Sequence, residues 1–269
     1  MRWALVVLAG LLATNARAQG EPLHGLETAD DAAGWEAVGR LDIDGKGFCT
    51  GALIAEDLVL TAAHCLYDRD TGAPVDASRV EFLAGLRNGQ ALAYRTVRRA
   101  AVHPAYRFGA EAGVEESRVD VALLELDRPI RSTQVRPFET AGAVRAGARV
   151  GVVSYAVDRA EVPSLEDACG VLGEQAGVLV MDCLVDFGSS GAPVFATVGG
   201  VARIVSVISA KGELDGQAVA LGSTLAEPLA ELREAFEAGT GPAAPAEVRT
   251  LAPGERADTG ARFVRVEAR

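Results

Sequence analysis

The stretch that decides the fold runs from Cys49 to Cys65 and reads CTGALIAEDLVLTAAHC. Two short apolar runs, Cys49–Ile54 and Leu58–Ala62, flank a polar turn, which is the pattern of two strands joined by a short connection. The second run leads directly to His64, so an imidazole stands at the end of an apolar strand, beside a cysteine. The stretch therefore predicts β-structure that carries a chemically active side chain.

Similar short apolar runs recur between turn signals through most of the chain. Outside that stretch they are Ala37–Ile43, Val80–Leu86, Thr96–Val102, Val121–Leu126, Val150–Val157, Gly177–Met181, Ala192–Val198 and Ala202–Ser209. Only Leu225–Glu237 has convincing helical spacing, with Leu229 and Leu232 on one side. Many short strands and a single late helix predict an all-β protein built from antiparallel barrels.

The two ends of the chain have a different composition from the middle. Residues 1–18, MRWALVVLAGLLATNARA, have the order of a secretory signal peptide: a basic residue, an apolar run and a small-residue ending. The apolar run is too short to span a membrane, and no other stretch reaches the roughly 18 apolar residues required. We expect a loose leader or possible propeptide at 19–33, a folded domain at 34–239, and a linker and tail at 240–269. The tail holds one possible strand, ARFVRV.

The balance of charge narrows the classes of partner. The chain has 37 acidic and 26 basic residues, a formal net charge of −11 at neutral pH. Nucleic acids and anionic membranes repel such an acidic protein, so we expect neither as a partner. The composition is also rich in alanine and arginine and poor in lysine, which favours a bacterium with a GC-rich genome.

Four cysteines in an exported chain predict two disulfide bonds, for which three pairings exist. Their spacing favours Cys49–Cys65 and Cys169–Cys183. The competing interpretation is a zinc site, which needs close Cys/His pairs of the kind that zinc-binding motifs contain, and we find none. We therefore expect disulfides, no metal and no other cofactor.

A second informative stretch, DFGSSGAPVF at 186–195, places Ser189 and Ser190 between glycines. A serine hydroxyl needs a nearby base to act as a nucleophile at neutral pH. All three histidines precede these serines, which excludes the Ser–acid–His order of α/β-hydrolases. A subtilisin-like site needs a helix after the serine, where this sequence predicts a hairpin. The remaining order is His, Asp, Ser, with His64, Asp120 and Ser190 as candidates.

Three motifs, CTGALIAEDLVLTAAHC, DVALLEL and GSSGAP, together resemble the chymotrypsin/trypsin-like serine peptidases. The resemblance covers roughly residues 36–238. It implies two six-stranded antiparallel barrels, at about 34–130 and 131–224, followed by a C-terminal helix at 225–238. The cysteine that lies seven residues before the second serine is most similar to bacterial secreted members related to glutamyl endopeptidases.

The resemblance also implies roles for individual residues. His64 is expected to be the general base, Asp120 its carboxylate partner and Ser190 the nucleophile. The backbone N–H groups of Gly188 and Ser190 are expected to form the oxyanion hole. The walls of the primary specificity pocket are expected to be Leu184, Val185, Ile208, Ser209 and Ala210. None of these carries the charge or the histidine that selects basic or acidic side chains in the family, so we expect an apolar preference.

The sequence departs from the digestive members of that family at one important position. Ser189 stands where those members carry an aspartate, which captures a new N-terminal ammonium after zymogen cleavage. We therefore expect an oxyanion hole that forms without this activation. The expected function is a secreted or periplasmic serine endopeptidase, active as a monomer on peptide or protein substrates. The alternative is a catalytically silent homologue that serves binding or regulation.

Overall fold

A computed structural model describes residues 23–109, 113–142, 144–239 and 263–266 of the chain. The predicted signal peptide, the first residues of the expected leader and most of the tail lie outside these ranges. Strands dominate the described residues, and no helix among them is long and apolar enough to cross a membrane.

The described residues form fourteen strands and two α-helices. The strands are β1 (His24–Gly25), β2 (Val38–Ile43), β3 (Gly47–Ala55), β4 (Leu58–Thr61), β5 (Val80–Ala84), β6 (Ala93–Val102), β7 (Ala122–Leu126), β8 (Arg149–Ala156), β9 (Arg159–Gln175), β10 (Val178–Met181), β11 (Pro193–Val198), β12 (Val201–Leu214), β13 (Gln217–Thr224) and β14 (Phe263–Val266). The helices are α1 (Val114–Arg118) and α2 (Ala226–Glu237). Two 3₁₀ turns, Ala63–Leu66 and Ala77–Arg79, complete the regular structure.

The N-terminal barrel closes in the order β2-β3-β4-β7-β6-β5. Pairing of β5 with β2, with Phe82 opposite Leu41, completes the ring. Both of these side chains, and those of Leu53 and Leu123, are fully buried in the barrel core. The alternation of apolar residues along these strands thus supplies one closed hydrophobic core, as the sequence predicts.

The second barrel follows the order β9-β10-β13-β12-β11-β8, and pairing of β8 with β9 closes it. Strands β1 and β14 join this barrel from outside, β1 on β9 and β14 parallel to β12. The prediction of two six-stranded antiparallel barrels with a C-terminal helix is confirmed. The possible strand in the tail is also present, as β14.

Helix α2 returns from the second barrel to the first. The Arg99 guanidinium donates to the carbonyl of Phe236 at 2.8 Å and lies 3.8 Å from the centre of its ring. His103 is buried, with Nε2 3.1 Å from Glu231 Oε2 on the same helix. These contacts hold the two barrels as neighbours, so the loops between them form a cleft.

The segment that we expected to be a loose leader is packed where it is described. Leu26 is buried, and its N–H donates to the carbonyl of Pro163 at 2.8 Å, next to the pairing of β1 with β9. Ala32 is also buried. The leader expectation missed this packing because one buried leucine among polar residues gives no periodic signal.

Candidate active site

His64 lies at the cleft, in the 3₁₀ turn that follows β4. A disulfide between Cys65 and Cys49 ties this turn to β3, which confirms the first predicted pairing. The imidazole is 10% exposed, so most of the ring is packed while one edge reaches solvent. The turn therefore presents a fixed histidine to the cleft.

Asp120 lies just before β7 and is fully buried. Its Oδ1 accepts the backbone N–H of His64 at 2.9 Å, and its Oδ2 lies 2.7 Å from His64 Nδ1. The hydroxyl of Ser209 donates to the same Oδ2 at 2.6 Å. A carboxylate can only accept, so Nδ1 carries the proton and Nε2 is left as a proton acceptor.

Ser209 has a role that the sequence prediction did not include, which is its contact with Asp120. The pairing of β12 with β13 shifts register between Ile208 and Ala210, which marks a β-bulge at Ser209. A bulge redirects a side chain, and here the hydroxyl meets Asp120. Sequence reasoning placed Ser209 in the pocket wall, and no local signal in the sequence indicated its contact with the carboxylate.

Ser190 lies in the loop of residues 186–192, here called the serine loop, which leads into β11 of the second barrel. Its carbonyl accepts the N–H of Thr50 at 2.8 Å. The next residue, Gly191, has a φ of +78°. A Cβ there would overlap Thr61 Oγ1 and lie 2.9 Å from the backbone nitrogen of Ala62, two residues before His64. Only glycine allows this approach, which brings the serine loop against the end of β4.

The peptide groups around Gly188 are oriented by hydrogen bonds. The carbonyl of Phe187 accepts the N–H of Val157 at 2.9 Å, so this carbonyl points toward Val157. A trans peptide directs its N–H opposite to its carbonyl, which turns the Gly188 N–H the other way. Within the described residues, neither this N–H nor that of Ser190 has a hydrogen-bond acceptor. Two free donors thus flank the serine.

Thr50, on β3, joins several of these groups. Its buried hydroxyl donates to the carbonyl of Gly188 at 2.8 Å and accepts the N–H of Tyr155 at 3.1 Å. A hydroxyl has one donor and two acceptor sites, and this one uses both functions. The threonine lies within the decisive sequence stretch, but its partners are more than a hundred residues away, so its role has no local signal in the sequence.

Ser189 points away from the cleft and is fully buried. Its Oγ lies 3.2 Å from Ser154 Oγ and accepts the N–H of Asp186 at 3.3 Å. Arg159 Nη2 in turn donates to Ser154 Oγ at 3.1 Å. Burial lowers the pKa of Arg159, opposed by the nearby carboxylates of Asp158 and Asp186. A largely buried internal cation therefore anchors the polar chain beneath the serine loop.

The residues predicted to wall the specificity pocket lie on two segments. Ile208 and Ala210 are buried on β12, and Val185 is half-buried against the core of the second barrel. Leu184 is 57% exposed, and its N–H donates to Glu166 Oε2 at 2.7 Å. Burial raises the pKa of Glu166. Cys183 bonds to Cys169, which confirms the second predicted disulfide and fixes the start of this wall.

An ion pair joins the two segments. Lys211 Nζ lies 2.8 Å from Asp186 Oδ1. Lys211 comes directly after the wall residue Ala210, and Asp186 comes directly after the wall residue Val185. The hydrogen bond from Lys211 lowers the pKa of Asp186 below its ordinary value. Each charge neutralises the other at this position, so neither is left unpaired toward the cleft.

A separate cleft of about 420 Å³ opens on another side of His64. It contains none of the predicted pocket walls. Its lining comes from the β2–β3 turn, the segment after Cys65, and Phe187 with Gly188, and it includes Phe48. His64 and Gly188 therefore border this second cleft as well.

The donor groups near the site do not suit a metal. Among the described residues, two clusters place three potential ligands together: Cys49, His64 and Cys65, and Glu166, Cys169 and Cys183. In both clusters the two sulfurs are joined in a disulfide. A metal needs the thiolate form of cysteine, so these clusters offer only one ordinary ligand each.

Known proteins resemble this chain in sequence and in fold. The chain is 32% identical to human cathepsin G over 49% of its own length and 47% of that protein, and 38% identical to the modular serine protease of Drosophila melanogaster over 34% and 15%. It spans less than half the length of these curated relatives. A solved structure of a Glu endopeptidase in complex with MPD has the same fold, with a TM-score of 0.66 at 20% identity, over 79% of this chain and 95% of that one.

The family model described as Trypsin matches residues 25–168, which include the first barrel, the histidine turn and Asp120. This match ends before the serine loop, so it does not include Ser190. Because the match spans more than half of the chain, the protein belongs to the trypsin family.

Proposed function

We propose that the protein is a serine endopeptidase that hydrolyses peptide bonds through an acyl-enzyme on Ser190. The observation that carries this proposal is the buried carboxylate of Asp120, 2.7 Å from His64 Nδ1. This contact leaves His64 Nε2 as the basic atom, on a ring whose position is fixed by its own backbone N–H. A histidine held in this way serves as a general base.

The reaction follows from these groups. Ser190 Oγ attacks the substrate carbonyl carbon while His64 Nε2 takes the hydroxyl proton, and the imidazole then returns that proton to the leaving amine. The free N–H groups of Gly188 and Ser190 are the candidates to bind the oxyanion, at about 2.7–4 kcal/mol for each donor. A water molecule, activated by the same imidazole, hydrolyses the acyl-enzyme.

Two further features support a peptide substrate cleaved within its chain. The separate cleft beside His64 is bordered by Phe187 and Gly188 of the serine loop, and it offers room for more of a peptide than the residue at the cleaved bond. The two disulfides favour an oxidising compartment, in keeping with a secreted or periplasmic bacterial protein. We also propose that the protein acts as a monomer and binds no nucleic acid, given its net charge of −11.

A fluorophosphonate probe tests the proposal, because it reacts only with a serine that a neighbouring base has activated. We expect the chain from Gln19 onward to be labelled once, with the adduct on Ser190 after peptide mapping. Denatured protein is the control and is expected to remain unlabelled. Absence of labelling in the native protein would favour the catalytically silent homologue instead.

We propose a preference for medium-sized apolar residues immediately before the cleaved bond. The side chains of Val185, Ile208 and Ala210 offer no charge, and the Asp186–Lys211 pair leaves none available. A charged substrate side chain would lose hydration without a partner, at a cost of several kcal/mol. In a peptide-library profile, kcat/KM for apolar residues is expected to exceed that for Glu, Lys or Arg by at least about tenfold.

Matched variants of the Asp186–Lys211 pair test how far the charges at the mouth of the pocket influence the preferred residue before the cleaved bond. Lys211→Met removes the ion-pair partner of Asp186 and is expected to raise relative cleavage after Lys and Arg. Asp186→Asn leaves Lys211 unpaired and is expected to raise relative cleavage after Glu. The double variant restores neutrality and is expected to keep the apolar profile. A wild-type profile dominated by any charged residue would contradict the proposed preference and leave the catalytic residues unaffected.

A further inference from the structure

Strand β12 loses one of its neighbours beside the serine loop. Its first half pairs with β11, as far as Val207 opposite Pro193. One more pair of backbone bonds follows, since the Gly191 N–H donates to the carbonyl of Ile208 at 2.8 Å and the Ile208 N–H to Ala192 at 2.9 Å. From Ser209 onward, β11 no longer covers this edge. We call the segment from Ser209 to Leu214 the open edge of β12.

The open edge begins at the candidate active site. Ser209 contacts Asp120, and the last covered position, Ile208, is bonded to the residue that follows Ser190. Exposed strand edges bind extended peptides through main-chain hydrogen bonds. A peptide that pairs with Ser209 and the residues after it therefore lies beside the nucleophile.

The C-terminal strand β14 occupies part of this open edge. It pairs in parallel with β12, Phe263 opposite Lys211 and Val266 opposite Leu214. Strand β13 covers the other edge of the same segment, with Ala220 opposite Lys211. A strand has only two edges for pairing, so β14 lies on the edge that β11 leaves free.

We propose that the C-terminal strand β14 competes with a bound peptide for the open edge of β12, so that the tail acts as a tethered inhibitor of the site. This inference rests on the proposed function, because it assumes that peptides bind beside Ser190. Successive residues of paired strands advance together by about 3.3 Å. A peptide aligned from Ser209 thus reaches Lys211, where β14 begins, with its third residue.

Tethering favours this competition. The 25 residues from 238 to 262 connect α2 to β14, so docking is an intramolecular event. Covalent linkage of this kind gives effective concentrations in the millimolar range when the span is matched. We therefore expect four residues of main-chain pairing to compete with a substrate, and we expect the same peptide free in solution to bind more weakly.

Chains that end at Arg269, Val266 and Arg262 test the inference, since only the last lacks β14. We expect kcat/KM on a tetrapeptide substrate to rise about three- to tenfold in the chain ending at Arg262, through a lower KM. This rise corresponds to a ratio of docked to undocked β14 of about 2–9 in the full chain. The chain ending at Val266 is the matched control and is expected to behave like the full chain. An ester of a single amino acid, too short to reach Lys211, is expected to show no change.

A backbone variant separates pairing from chain length. Successive N–H groups of a strand point to opposite sides, so one of the two N–H groups of Phe263 and Val264 faces β12. Replacing both residues by proline therefore removes a donor to β12, whichever of the two it is. We expect this variant to match the chain ending at Arg262, and the corresponding double alanine variant to match the full chain. A synthetic peptide of residues 259–269 is expected to raise the KM of the shortened chain.

Two outcomes overturn the inference and remain distinguishable from failure of the proposed function. The first is an equal KM for the tetrapeptide in all three chains. The second is an equal gain on the tetrapeptide and on the single-residue ester, which would indicate a change in the reacting groups themselves. Failure of the proposed function would appear separately, as absence of fluorophosphonate labelling at Ser190 in every chain.

Discussion

Replacing either Ser190 or His64 with alanine is expected to lower kcat on a peptide substrate by about 10⁶-fold. The serine variant has no nucleophile, and the histidine variant leaves a hydroxyl whose pKa is far too high for it to attack at neutral pH. Substrate binding depends on other groups, so KM is expected to change much less. Single-turnover and steady-state rates on the same peptide provide the measurement.

The double variant carries the stronger test. If the two residues act as one unit, the loss in the double variant is expected to be nearly the same as in either single variant, because the first change already disables the second residue. Independent contributions would instead multiply. Additive losses, in free-energy terms, would contradict the assignment of His64 as the base for Ser190.

The neighbouring serine is the matched control. Ser189 is buried and bonded within its loop, where Ser190 is only half-buried. Ser189→Ala removes hydrogen bonds of about 0.5–1.5 kcal/mol each. We expect it to retain fluorophosphonate labelling and activity within about tenfold of the wild type. Peptidase activity that survives in Ser190→Ala and disappears in Ser189→Ala would reverse the roles of the two serines.

Much of the fold could be predicted because most strands carry a local signal. The apolar runs at Leu58–Ala62, Val150–Val157 and Ala192–Val198 each become a strand with ends shifted by at most two residues. The predicted helix at Leu225–Glu237 begins one residue later, at Ala226. In these segments side-chain burial and local propensity agree, so the sequence pattern alone is sufficient.

Two strands of the second barrel had no such signal. β9 is 17 residues long and contains a proline and four acidic residues, and β13 contains glycine, serine and threonine. Their stability comes from pairing on both sides: β9 lies between β8 and β10, and β13 between β10 and β12. Such strands depend on neighbours distant in sequence, and tertiary context overrides weak local propensity.

The same limit applies to the candidate site. His64, Asp120 and Ser190 stand in motifs that a reader of the sequence can find. The groups that orient these residues lie outside such motifs. Ser154 and Arg159, which are hydrogen-bonded beneath the serine loop, are examples. Hydrogen bonds between distant residues are set by barrel closure and by bulges, which residue spacing does not encode.

The second large effect is expected from Asp120→Asn, which keeps the shape of the side chain and replaces one oxygen by a donor. The group at the Oδ1 position faces the backbone N–H of His64, which cannot change its character. At the Oδ2 position the neighbours are the His64 ring and the Ser209 hydroxyl, and both can turn from donor to acceptor. The amide nitrogen is therefore expected at the Oδ2 position, facing Nδ1.

That orientation changes the tautomer of His64. With a donor opposite it, Nδ1 must accept, and the ring proton moves to Nε2, where the base is needed. We expect the variant to fold and kcat to fall by about 10⁴-fold. Ser209→Ala is the matched control: it removes one hydrogen bond from Asp120 and keeps the tautomer, so the expected loss is only about tenfold. Nitrogen NMR of the imidazole reports the tautomer directly. An Asp120→Asn enzyme with Nε2 protonated and near-normal kcat would exclude His64 as the general base.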